Sequence, residues 1–280
     1  VIPDRIEVAP DFATGTAADR YVFENIFKGT TGKGEYISQS LTWDATASGS
    51  DLVMTRKDYN EFAEGLWYEE FAGVLNDKYS VTTGEGRKIY DKINYITDEY
   101  SFRDAMASLA GDIYANMNQR EYDIARSFEN SLAFMQNSEN NTKENVKINI
   151  IGGKGKNKEE TDGITGYDYT TAGVLALREV ERTYRHTFGY SLGYLHTGFD
   201  LNDGNDSEDK ADTIQLGVHN KYETNGWKLK NDLTGRVSFH NVDRNINWQN
   251  NGKSSMDASY EAYSITSDNI FGKEFKKKKN

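Results

Sequence analysis

The chain has 280 residues, a formal net charge of -11 and no cysteine. Neither disulfides nor a thiolate metal site can hold such a chain together, and no nucleic-acid partner is expected, because phosphate binding needs a basic face. Mean hydropathy is -0.78 and no apolar run approaches the roughly 20 residues of a membrane helix. Yet 18 Tyr, and 25 Gly against 2 Pro, are compatible with a transmembrane β-barrel, whose lipid-facing and lumen-facing residues alternate and average out. No basic-then-apolar leader precedes Val1, so an exported form is expected to continue upstream.

Pro3 and Pro10 stand in an irregular opening, followed by short strand-like pieces at Tyr36-Ile37-Ser38 and Leu41-Thr42-Trp43. Residues 1–55 read as the end of a β-structured region whose main body lies upstream. A helical linker region, 56–119, follows. Thr55 with Asp58 suggests a capping box, and Tyr59, Phe62, Ala63, Leu66, Trp67, Phe71, Val74 and Leu75 recur at helical spacing. Gly65 and Gly73 weaken that helix by about 1 kcal/mol each. Ile89, Tyr90, Ile93 and Ile96 mark a second helix; Phe102, Ala105, Met106, Leu109 and Ile113 mark a third.

The stretch Arg120 to Gln136 differs. Ile124, Ala125, Phe128, Leu132 and Met135 make a narrow stripe, with Arg120, Glu121, Asp123, Arg126, Glu129 and Asn130 around it. At 1.5 Å per residue it spans roughly 25 Å, the height of an outer-membrane barrel's apolar band. A helix inside a lumen and an ordinary surface helix both fit.

After Asn145 the period becomes two. Trp227, Leu229, Leu233, Val237 and Phe239 share one strand face, while Lys228, Lys230, Asp232, Thr234, Arg236, Ser238 and His240 share the other. Phe188, Tyr190, Leu192 and Tyr194 alternate likewise, as do Ile214, Leu216 and Val218. Six strands are predicted, near 146–152, 164–178, 182–198, 212–223, 227–242 and 257–271. Their connections alternate in length. Long ones run from Lys154 to Asp162, Asp200 to Lys210 and Asp243 to Ser255; short ones fall at Glu179-Val180-Glu181 and Thr224-Asn225-Gly226. In an up-and-down sheet all the long loops then share one end, as in bacterial outer-membrane barrels, whereas Greek-key sandwiches have no reason to sort loops so. The first strand starts at the short-turn end, so a lumen helix 120–136 would put residues 1–115 outside the cell.

Few residues invite chemistry. His186, His196, His219 and His240 have no ligand spacing and read as strand-face positions. The acidic run Asp200 to Asp209 has Gly204 misplaced for an EF-hand loop and reads as a solvated loop. Gly152 to Lys156 lacks the Lys-Ser/Thr pair of a phosphate loop, and no Ser/His/Asp arrangement is assignable. No catalytic residue, metal or cofactor is expected, and the protein is not expected to be an enzyme. The informative charges are Lys228, Lys230, Asp232 and Arg236. If their strand's other face meets lipid, they face a lumen, since a charge at the bilayer midplane costs about 2–4 kcal/mol. There they either pair with Glu121, Asp123 and Glu129 of the helix, which also carries Arg126, or are solvated by pore water.

Longer stretches carry a family resemblance: SFENSL at 127–132, NNTKENVKINIIGGKG at 140–155, GVLALREVERTYRHTFGYSLGYLHTGF at 173–199 and DTIQLGVHNKYETNGWKLKNDLTGRVSFHNVDRNINW at 212–248. They resemble the translocator domain of autotransporters (type V secretion), in particular large surface adhesins of Gram-negative anaerobes. YVFENIFKGTTGKGEYISQSLTW at 21–43 resembles the junction after a β-helical passenger. The resemblance implies a twelve-stranded barrel with a helix inside, set in outer-membrane lipid by the barrel insertion machinery and joined to its own upstream passenger. This chain departs from that pattern in two ways: about six strands are predicted, and Lys276 to Lys279 stand where the family has an apolar strand with a terminal aromatic. An open sheet has unpaired edges that lipid does not tolerate, so the chain alone is expected not to insert.

The expectation is thus an α+β chain: a helical linker region, then residues 120–280 as part of an up-and-down antiparallel transmembrane β-barrel with a lumen helix. Its expected role is to anchor a passenger in the outer membrane and export it to the cell surface. The competing expectation is a soluble β-rich surface binding or adhesion module.

Overall fold

The computed structural model describes residues 5–27, 34–158, 161 and 163–273. Pro3, Asp162 and the run Lys276 to Lys279 lie outside them. The chain is α+β and divides into two compact units. One comprises Val1–Ala115, Thr161–Ile164 and Asn245–Ser255; the other comprises Asn116–Glu160, Thr165–Arg244 and Met256–Asn280.

The first unit opens with five short strands: β1 (Arg5–Val8), β2 (Arg20–Phe23), β3 (Glu35–Ser38), β4 (Trp43–Ser48) and β5 (Asp51–Arg56). β1 and β3 pair in parallel, while β5 pairs antiparallel with both β2 and β4. Three helices follow, α1 (Glu69–Lys78), α2 (Glu85–Ile93) and α3 (Glu99–Ala110). The second and third match the sequence expectation; the first does not. Thr55 sits inside β5, opposite Arg20 and Asp44, so no capping box forms. Asp58 instead caps a single 3-10 turn, Tyr59–Phe62, by accepting from the Asn60 N–H at 2.9 Å. Gly65 then takes φ +73°, a left-handed conformation that ends helical propagation, and α1 begins only at Glu69.

Aromatic packing dominates the core of this unit. Trp43, Tyr59, Tyr79, Ile93, Ile96 and Phe102 are fully buried, and the Trp43 indole N–H donates to Asn94 Oδ1 at 3.0 Å. The guanidiniums of Arg56 and Arg87 lie 4.3 and 4.2 Å from the Tyr79 ring centroid, each a cation–π contact. Burial raises the Tyr59 phenol and pushes Tyr68 up to about 12, so both stay un-ionised.

Two hairpin tips also fold within this unit. Gln249 Oε1 accepts from the Thr97 N–H at 2.9 Å, and Lys92 Nζ donates to the Asn251 carbonyl at 2.7 Å. A Cβ at Gly163, whose φ is +85°, would lie 2.8 Å from the Trp67 ring, so only glycine fits there. Asp98 caps α3, accepting from the Ser101 N–H at 2.8 Å, and Gly111 closes it at φ 87°. Asp98→Ala is expected to cost about 1 kcal/mol and to speed hydrogen exchange in the first turn of α3 above other helical amides.

The second unit holds α4 (Met117–Asn137) and the strands β6 (Glu144–Asn157), β7 (Tyr167–Thr183), β8 (His186–Leu201), β9 (Glu208–Thr224), β10 (Trp227–Asn247) and β11 (Lys253–Lys273). They form one six-stranded sheet in sequence order, with β6 and β11 at its edges. β6 to β10 pair antiparallel with their neighbours. The alternation of loop lengths is present: Tyr184-Arg185 and Asn225-Gly226 connect strands at one end, and the longer β6–β7, β8–β9 and β10–β11 connections lie at the other. Asn225 and Gly226 have φ of 49° and 79°, the pair of positive values that a tight hairpin with matching twist requires.

The strands run further than expected. Glu179 to Glu181, read as a turn, lie within β7. Lys154 to Asn157, Glu208 to Lys210, Asp243 to Asn247 and Lys253 to Ser255, read as loop, are strand. Their polarity misled because at this end the two faces exchange character. Asp200, Lys210 and Asn241 point outward, while Phe199, Leu201, Ala211 and Val242 are buried on the opposite face.

Candidate functional site

Cross-strand register lines up the outer face in rows. Ile150, Val174, Tyr194, Ile214 and Val237 are consecutive partners across five strands. Ile148, Ala176, Leu192, Leu216 and Gly235 form the next row, then Val146, Arg178, Tyr190, Val218 and Leu233. The one charge in these rows, Arg178, pairs with Glu144 at 3.0 Å near the short-turn end. Exposure is inverted relative to a water-soluble sheet: Leu192, Leu216 and Leu233 are 57%, 61% and 49% exposed, whereas Gln215, Ser238 and His240 are 1%, 0% and 1%. In water an apolar patch this extensive drives association; against hydrocarbon it carries no penalty.

The apolar rows have polar borders. Above them His196 Nδ1 and the Tyr194 hydroxyl meet Asp212 Oδ1 at 2.8 and 2.6 Å. At the short-turn end Trp227 stacks on Phe271, ring centroids 4.8 Å apart. Amphipathic side chains of this kind suit a membrane–water interface.

The inner face seats α4, whose 21 residues span about 30 Å. Near its N-terminus Arg120 Nη1 lies 2.8 Å from Asp209 Oδ2, both side chains fully buried. His240 bridges Asp209 and Glu121, with Nδ1 3.0 Å from the former and Nε2 2.7 Å from the latter. Tyr260 stacks on that imidazole at 4.3 Å. The Ser238 hydroxyl donates to Glu121 and the Tyr167 hydroxyl to Asp123, at 3.0 and 2.6 Å. Midway, Phe128 is buried against Gly193, and Asn149 donates to Ser131 at 2.8 Å. At the C-terminal end Gln136 Nε2 donates to Asp232 at 2.9 Å. There Lys147 Nζ donates to the Met135 and Ser138 carbonyls at 2.7 and 2.8 Å, placing a cation where the helix dipole is negative. Buried charge is tolerated only when paired and hydrogen-bonded, and these contacts hold the helix at both ends.

The charges singled out from the sequence distribute unevenly. Arg236 approaches Glu129 at 4.0 Å but mainly donates to Ser264, Gln215 and Thr266. Asp232 meets the helix through Gln136, and Lys230 pairs with Asp232 at 3.0 Å along its own strand. Lys228 is exposed beside Glu223 at 3.8 Å and Arg126 is exposed; of the two alternatives, helix pairing or solvation, Lys228 and Lys230 do not take the first, because both lie at the short-turn end with a nearer carboxylate of the sheet. Glu121 and Asp123 take neutral or imidazole partners. The residues missed were Asp209, His240, Tyr167, Asn149 and Lys147. Asp209 had a signal: it shares the odd-numbered inner face of β9 with Thr213, Gln215 and His219.

Glycine makes room for the helix. A Cβ at Gly193 would lie 2.6 Å from the Phe128 ring and 2.8 Å from Leu175. Gly193→Val is expected to cost about 1–3 kcal/mol by overpacking and to speed exchange of α4 amides around Phe128. Adding Phe128→Ala should slow that exchange again; faster exchange still would place the clash elsewhere.

Residues 146–280 match the family model described as Autotransporter beta-domain. This segment belongs to the autotransporter β-domain family. An autotransporter β-domain resides in the bacterial outer membrane, as the alternation and sorted loops predict. Residues 1–58 match a model described as BigA beta sandwich domain. The chain is also 25% identical over 232 residues to BigA of Salmonella typhimurium, whose name describes a surface-exposed virulence protein. That alignment covers 79% of this chain and 11% of BigA, so the chain spans about a ninth of that relative's length.

Proposed function

We propose that the six-stranded sheet is wall of an outer-membrane translocator, that its exposed apolar rows meet lipid, and that α4 threads the lumen as the last part of an exported segment. The observation that carries this reading is the inversion of the sheet: apolar side chains exposed on one face, and a hydrogen-bonded helix with paired charges on the other. Polarity supports it. Met135 and Ser138 are held by Lys147 near the start of β6, at the short-turn end, while Arg120 is held by Asp209 near the start of β9, at the long-loop end. With short turns in the periplasm, the chain preceding α4 emerges outside.

In this reading the partners are outer-membrane lipid, the barrel insertion machinery and the upstream passenger, and export itself needs no covalent step. A surface-binding role for residues 1–115 draws support from the resemblance to a protein named as surface-exposed. In the full-length protein, deleting residues 117–137 is expected to abolish antibody access to an epitope placed before Arg5 on intact cells. Display that survives the deletion would overturn the threading. Recovery of the wild-type protein in the soluble fraction, without a heat-shifted gel band, would favour the soluble binding module instead.

A further inference from the structure

Three side chains from adjacent strands meet on the inner face near the C-terminal end of α4. Asp232 Oδ1 lies 3.0 Å from His219 Nδ1, and His219 Nε2 lies 2.8 Å from Ser191 Oγ. All three are buried. Register puts His219 opposite Asp232 and Gly217 opposite Ser191. A Cβ at Gly217 would fall 2.6 Å from Ser191 Oγ and 2.9 Å from His219 Nε2, so the hydroxyl and imidazole can meet only across glycine. Asp232 is fixed from two further sides, by Gln136 Nε2 at 2.9 Å and Lys230 Nζ at 3.0 Å.

The order of atoms is that of an acid–base–nucleophile relay. A carboxylate on Nδ1 holds the tautomer whose Nε2 accepts the hydroxyl proton. Two more features point to a reacting group. Gln215, one row further along the same face and opposite Gly193, has a buried Nε2 with no hydrogen-bond partner among the described residues. A small cavity beside His219 is lined by Gln136, Glu179, Thr187, Asn220 and Lys230, and its size favours a small substrate over a lipid chain.

We propose that Ser191 is a nucleophile for acyl transfer from small carboxylic esters that approach His219 by this cavity. Ser191 Oγ attacks the carbonyl carbon as its proton passes to His219 Nε2. The C–O bond to the alcohol breaks, and the alcohol leaves with that proton. Water then attacks the acyl-serine, giving its proton to His219, and the carboxylic acid departs as Ser191 Oγ regains a proton from Nε2. Gln215 is the candidate donor to the carbonyl oxygen as negative charge develops there.

The test uses the full-length protein in outer-membrane vesicles, treated with a fluorophosphonate, digested and mapped by mass spectrometry. Ser191 is expected to be phosphonylated, with fluoride lost, ahead of every other serine. His219→Gln should slow that labelling by roughly 100-fold or more while the heat-shifted band persists. Ser191→Ala should remove both the adduct and any hydrolysis of p-nitrophenyl acetate above the vesicle background. An unlabelled Ser191 in folded wild-type protein, or labelling no faster than in His219→Gln, would overturn the proposal and leave the cluster as a support for α4. Neither outcome depends on whether a passenger is exported.

Discussion

Asp209→Ala in the full-length protein is expected to lower the stability of the unit formed by α4 and its sheet by about 3–5 kcal/mol, the cost of breaking a buried ion pair from one side. Asp209 is fully buried, 2.8 Å from Arg120 and 3.0 Å from His240, with the Tyr260 hydroxyl at 3.3 Å. Its removal leaves a guanidinium and an imidazole in the interior without the carboxylate they share. Removing both charges is a different matter. Arg120→Met with Asp209→Leu replaces the pair with apolar groups of similar bulk, a change that is often neutral. The urea midpoint of the heat-shifted band should therefore fall steeply in the single variant and recover most of the loss in the double one. A single variant as stable as wild type would mean that water reaches Asp209, and that α4 is not clamped at its N-terminal end.

Leu216→Arg tests the other face. Leu216 sits in the middle of three apolar rows, between Leu192 and Gly235, and is 61% exposed. If that face meets lipid, an arginine there costs about 2–4 kcal/mol, against about 0–1 near the interface. Asn241→Arg supplies the interface control, since Asn241 points outward above the polar border marked by Asp212. Assembly into the outer membrane is expected to drop severalfold for Leu216→Arg and to stay near wild type for Asn241→Arg. In water the ranking would vanish, because an exposed leucine exchanged for an exposed arginine is close to neutral. Equal assembly of the two variants would remove the lipid contact from the proposed function.

Much of this site was legible from local pattern. The alternation at 227–239 told which side chains share a face, and the paired short turns told which strand ends lie together. The narrow apolar stripe Ile124 to Met135 marked the helix that needed only a slender apolar seat. Other features were legible only in part. Gly65 was noted as a weak point in the first helix, but its left-handed conformation, which stops the helix altogether, depends on packing around it. The strand extensions at the long-loop end were hidden by their own composition, since outward polar residues and inward apolar ones look like a loop when the reader expects the reverse.

The amino-acid sequence by itself determined face and period, because an alternation of two is written in each strand independently of any neighbour. Partnership was decided only by the tertiary structure. Sliding one strand by two residues leaves every side chain on its own face yet changes each cross-strand neighbour. Thus Asp209 could be assigned an inner position locally, but its union with Arg120 and His240, or that of His219 with Ser191 and Asp232, required the register of three strands and the seating of one helix. Long-range pairing sums over turns whose lengths no short window contains, and that is why most of the charges chosen from β10 alone took partners outside the helix carboxylates.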